Sequence, residues 1–196
     1  QKNQRWKTPA NRKKATQTNI NLLTNVLNNA NLRKWLKNLL NDEDKYKKTN
    51  EENENFGKID KIIRDTNPSL TKEQKKTVKK AVITKPKPKK PLIGFIDPIN
   101  NETIKLDFSE EKLGEDMHIS AHDEYPKGTL TIMTNVDHPL FIGYNKFKPR
   151  QVSELNFQNM VHEIAKYIST KHDIERDDLR DQINRLFSVQ DLSKLK

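Results

Sequence analysis

Cysteine is absent from this 196-residue chain, and glycine occurs only five times. The first absence removes disulfides, thiolate nucleophiles and cysteine-ligated metal sites, and fits an intracellular, cytoplasmic protein. The scarcity of glycine goes with missing nucleotide and nucleophile signatures. There is no Walker loop, no Gly-x-Gly-x-x-Gly and no Gly-x-Ser-x-Gly elbow. Apolar residues are also few, 32% of the chain with a mean hydropathy of −0.99. That is poor material for one compact core, so part of the chain is expected to be extended, mobile or docked on a partner. No apolar run approaches the roughly 20 residues needed to span a bilayer, and nothing resembles a signal peptide. The chain reads as soluble.

Charge is abundant and unevenly spread. Residues 1–90 hold 24 Lys and Arg against nine Asp and Glu, whereas residues 91–196 hold 13 against 18, so a half of net charge +15 precedes one of −5. A strongly cationic half attracts polyanions, because each phosphate neutralised by Lys or Arg releases counterions. Nucleic acid, DNA first, is the leading expected partner, and an anionic membrane surface the second. The plain alternative is a lysine-rich surface that serves solubility. Gln1 opens the chain inside a charged segment, which points to a processed product or a piece of a longer protein.

Four regions follow from composition. Residues 1–17 read as a basic arm or connector, in which Trp6 has two readings, stacking on a base or packing on its own domain. Residues 18–84 read as a basic helical region. Ile20, Leu23 and Leu27, then Leu32, Trp35, Leu36, Leu39 and Leu40, recur at helical spacing, with a break expected near Asn28 and Asn29. Residues 41–55 read as an exposed connection. Phe56, Ile59, Ile62 and Ile63 make a short amphipathic stretch ended before Pro68. Ser69 or Thr71 caps a further helix whose lysines Lys75, Lys76, Lys79 and Lys80 share a broad face opposite Val78 and Val82. Residues 85–91, KPKPKKP, read as a semi-rigid linker.

Residues 92–196 read as an α+β module with a small, mostly antiparallel sheet and C-terminal helices. LIGFID and TIKLDF are expected to form a hairpin, residues 115–122 are a candidate strand, and TLTIMTN (129–135) has the strongest strand pattern. Helices are expected over about 152–170 and 174–187. Between β and α stretches lies NVDHPLF. Asn135 and Asp137 suit turns, Pro139 holds His138 extended, Leu140 and Phe141 plug the core, and Gly143 releases the chain.

Candidate chemistry is thin. His118 and His122 stand four apart, the spacing of a two-histidine metal site on a helix, but on a strand they lie roughly 13 Å apart. Ile119 stands where a zinc protease carries Glu. Glu110-Glu111 and Asp177-Asp178 read as surface charge. No active site and no cofactor are expected in this chain, and a metalloenzyme built on His118 and His122 is the least favoured reading.

The run TLTIMTNVDHPLF, followed by the amphipathic ELNFQNMVHEIAKYI, resembles the end of the module that follows the ATP-binding domain in GHKL-superfamily, Hsp90-like ATPases, notably prokaryotic members distantly similar to MutL and MORC proteins. The resemblance covers about residues 92–187. It implies that Asn135, His138, Pro139 and Phe141 are structural positions, and that the chain transmits nucleotide state from an upstream ATPase rather than hydrolysing ATP. The superfamily's Mg²⁺-binding Glu/Asn helix, Asp-x-Gly-x-Gly and glycine-rich lid do not occur here. Lys85 is a loose match to the lysine that such a module sends to the γ-phosphate, without the Gln-Thr expected before it.

Sequence therefore favours a non-catalytic coupling and nucleic-acid-binding region. Arg12, Lys13, Lys14, Lys75, Lys76, Lys79, Lys80, Lys87, Lys89 and Lys90 are the candidate phosphate contacts. The rival is an interaction or scaffold module, a homo-oligomer or the partner of another protein, with its apolar helical stripes buried in that contact.

Overall fold

A computed structural model describes residues 9–30, 32–34, 70–86, 88, 92–97, 100–172, 179, 180 and 183. Along them run α1 (Pro9–Leu27), α2 (Lys72–Thr84), β1 (Gly94–Ile96), β2 (Thr103–Glu111), β3 (Ser120–Glu124), β4 (Thr129–Asn135), α3 (Pro139–Phe147), a 3-10 turn (Pro149–Gln151) and α4 (Val152–His172). The fold is α+β. The strands form one sheet in the order β1-β2-β4-β3. Both outer pairings are antiparallel and the central β2–β4 pairing is parallel. The parallel centre arises because the chain leaves β2, makes the far edge as β3, and returns between them as β4.

Strand periodicity explains the two layers. Side chains alternate across a sheet, so even-numbered residues of β2, β3 and β4 share one face. On it Ile104, Leu106, Leu130 and Ile132 join Phe95, the α1 residues Ile20, Leu23, Val26 and Leu27, and the α4 residues Phe157, Met160, Val161 and Ile164 in the principal core. The opposite face carries Ala121 and Met133, which pack with Leu113 and Met117 beneath Val78 and Val82 of α2. The sheet thus lies between α1 and α4 on one side and α2 on the other.

The hairpin of β1 and β2 is present with Phe95 opposite Ile104. A Cβ on Gly94 would stand 2.8 Å from the Ile104 carbonyl oxygen, so only glycine permits this approach. The C-terminal turn of α4 holds the hairpin's connection. His172 Nε2 lies 2.8 Å from the fully buried Asp97 carboxylate, and Lys171 donates to Glu102 at 2.8 Å.

Several boundaries differ from expectation. The helix expected from Thr18 already runs from Pro9, so residues 9–17 are helix rather than arm. Proline suits a first helical turn, where its missing N–H has no partner to lose. The break at Asn28 and Asn29 is observed. There Asn28 Oδ1 accepts the Ile96 N–H at 2.9 Å and ties α1 to the edge strand. The basic helical region is not apart from the sheet module, since α1 fills its core. The strand expected at 115–122 is β3, which starts at Ser120. Gly143 does not release the chain but lies inside α3. Trp6, Trp35, the stretch 41–69 and most of the expected last helix lie outside the described residues, although Leu179 and Ile183 are buried in the principal core.

Candidate nucleic-acid interface

Helix α2 starts where Thr71 folds back on itself. Its hydroxyl accepts the Gln74 N–H at 3.2 Å while Gln74 Oε1 accepts the Thr71 N–H at 2.9 Å, a reciprocal capping box. Gln74 also donates to the Asp116 carbonyl at 3.3 Å, which fixes the helix start against the loop before β3. Val78 and Val82 then bury against the sheet. A helix pinned at one end and along one stripe has its remaining face determined.

That face is lysine. Lys72, Lys75, Lys76, Lys79 and Lys80 are all exposed, and Glu73 is the helix's sole acid. At about 100° per residue, Lys76 and Lys80 point away from the valine stripe, and Lys72, Lys75 and Lys79 range along one flank. Among the described residues, no ion pair engages any of the five. Lys72 was not among the candidates named from sequence, although its spacing of four and seven from Lys76 and Lys79 carried the signal.

The other candidate phosphate contacts divide. Arg12 is a correction. Its guanidinium is buried, donates to Glu110 at 2.9 Å and lies 5.9 Å over the Phe141 ring, so it joins α1 to β2 and α3 instead of facing a ligand. Lys14 is exposed on α1. The side chains of Lys13, Lys87, Lys89 and Lys90 lie outside the described residues. Lys85 donates to Asp107 at 2.7 Å beside the end of α2.

Asn135 and His138 hold the junction after β4. Asn135 is fully buried. Its Oδ1 accepts the N–H groups of Leu113 and Asp137, each at 3.1 Å, and its Nδ2 donates to the Gly114 carbonyl at 2.7 Å. It thereby fastens the exit of β2 to the exit of β4. His138 is the N-cap of α3, with Nδ1 accepting the Leu140 N–H at 3.1 Å, and Pro139 occupies the first turn. Phe141 fills a pocket of Ile119, Val152 and Leu155. Asn135→Ala is expected to cost about 2–3 kcal/mol, because several buried backbone groups lose their partner, and a lowered denaturant midpoint at unchanged slope reads it out.

The capping nitrogen must be unprotonated to accept. Burial holds the His138 imidazole below its ordinary value of 6.5, and burial together with the Lys166 charge lowers His118, against an opposing pull from Glu163. The unfolded chain therefore binds these protons more readily than the folded one. Their contribution is complete above about pH 6.5 and is lost as pH falls from there toward the folded values. Stability is expected to drop between about pH 7 and pH 5, less so in His138→Asn, which keeps a capping oxygen without a titrating ring. Denaturation midpoints across that range test it.

His118 is buried just before β3, and His122 lies on β3 itself. His122 directs Nδ1 to Glu163. Among the described residues, no group of three or more His, Cys, Asp or Glu side chains is placed to hold a metal ion. Ser120 donates its hydroxyl to the Glu163 carboxylate at 2.7 Å. No helix among the described residues is long and apolar enough to cross a membrane.

No protein-family model matches the chain, and no curated protein or solved structure is significantly similar to it. The GHKL resemblance accordingly rests on the residues that carry it, Asn135, His138, Pro139, Phe141 and the helix after them.

Proposed function

We propose that the chain binds the phosphate backbone of nucleic acid, DNA first, through the lysine face of α2, and does so without reading sequence. The observation that carries this reading is a helix fixed by its cap and by Val78 and Val82, with five exposed lysines free of ion pairs among the described residues. Fixed side-chain origins lower the ordering cost of binding, and lysine ammonium groups suit phosphate as point charges. Nothing on the face offers the planar, bidentate groups that distinguish base edges.

The test is fluorescence anisotropy of a labelled duplex with the full chain at rising salt. Binding at low salt whose affinity falls along a straight log–log line is expected, and no binding at low salt contradicts the reading. Truncation is unsuitable, because α1 supplies core residues.

The GHKL resemblance adds a coupling role to this proposal. The Asn135 and His138 junction supports it, since it locks the ends of β2 and β4 to the start of α3 and would carry a displacement as a unit. Sequencing the coding region before Gln1 tests this part. An open frame carrying the superfamily's Mg²⁺ and adenine motifs is expected, and a frame without them removes the coupling role while leaving phosphate binding in place.

A further inference from the structure

The end of α3 carries a surface that the lysine face does not account for. Phe147 is 73% exposed, the most exposed large apolar side chain among the described residues. Lys146 places its ammonium 4.9 Å from the Phe147 ring centroid, and Lys148 stands 5.7 Å from that of Tyr144. Beside the ring lies a shallow cleft of about 420 Å³ lined by Phe147, Lys148, Pro149, Arg150 and Gln151.

The cleft is a fixed feature. The Lys148 N–H donates to the Tyr144 carbonyl at 2.8 Å and the Gln151 N–H to the Lys148 carbonyl at 2.9 Å. Pro149 is buried, and Val152 begins α4 directly afterwards. A helix C-terminus carries about half a negative charge, which disfavours anions. Lys146, Lys148 and Arg150 exceed it severalfold, and they outnumber Glu154, the acid whose charge bears on Tyr144.

We infer that this cleft holds one unpaired base of single-stranded nucleic acid, stacked on Phe147 with its flanking phosphates on Lys148 and Arg150. A protruding ring set among cations suits a strand whose bases present free faces. Bases within a duplex have theirs covered. Dipping into a lipid surface fits less well, since the exposed Ile142 and Phe147 are five residues apart and diverge around α3 instead of forming one apolar stripe. The inference rests on the proposed phosphate binding and adds a second site with a different preference.

The experiment measures binding of the full chain, wild type and variants, to a labelled oligothymidine of about 15 nucleotides and to a duplex of the same length. Phe147→Ala is expected to weaken single-strand binding about five- to a hundredfold and to leave duplex binding within about twofold, whereas Phe147→Trp retains single-strand binding. Unchanged single-strand affinity in Phe147→Ala, or an equal loss on both probes, overturns the stacking site while duplex binding by the wild type keeps the phosphate-binding reading. Absence of binding to either probe at low salt overturns both.

Discussion

Glu163→Ala is expected to lower folding stability by about 3–5 kcal/mol. Glu163 lies on α4 where the helix crosses the polar end of the sheet, and it is fully buried. One carboxylate oxygen accepts the Ser120 hydroxyl at 2.7 Å and the other meets His122 Nδ1 at 2.5 Å. Burial alone would push this carboxyl up. The hydrogen bond and charge of His122, helped by His162 and Lys166, outweigh it and hold the group below the ordinary carboxylate range. Alanine removes the acceptor from both partners and leaves a void, so the transfer and desolvation costs add. Glu163→Gln keeps the volume and one acceptor and is expected to cost about half as much. Because the folded carboxyl ionises more readily than the unfolded one, its contribution is complete above about pH 4.5 and disappears as pH falls below that toward the folded value. Urea denaturation of both variants, at neutral pH and near pH 4, measures this. A cost under about 1 kcal/mol for Glu163→Ala would contradict it.

Replacing Lys75, Lys76, Lys79 and Lys80 together with Gln is expected to weaken duplex binding about a hundredfold at low salt. The magnitude follows from counterion release. Four phosphates contribute a log–log slope of about −3.6, which alone is about a 150-fold loss between 50 and 200 mM salt. The loss should be uniform across duplex sequences, because phosphate contacts position a protein without reading bases. Folding should survive, since all four side chains are exposed and the buried anchors Val78 and Val82 are untouched. Glutamine retains helix propensity and length, which separates the effect of charge from that of helix content. A sequence-dependent loss would point to base contacts on this face.

What the sequence made legible follows from the range of the interactions. β4 coincides with TLTIMTN, since a run rich in Thr, Ile, Leu and Met suits a strand covered on both faces. The lysine face was legible because helix periodicity, too, is local. β3 was blurred because Ser120 and His122 are polar, and their partner Glu163 lies some forty residues further along. Arg12 was misassigned because its carboxylate, on Glu110, is 98 residues away. α3 was missed because it is short, holds Gly143 and Asn145, and depends on the His138 cap and the seating of Phe141. The exposed Phe147 carries no sequence signal of its own, since only packing reveals which aromatic stays outside.

The role of the lysine face is tested most directly by the salt slope of duplex binding, measured side by side for the wild-type chain and the Lys75, Lys76, Lys79 and Lys80→Gln variant. A slope shallower by about three to four is expected in the variant, one increment for each phosphate that the missing lysines no longer neutralise. Identical slopes in the two proteins would show that the lysine face of α2 does not touch nucleic acid.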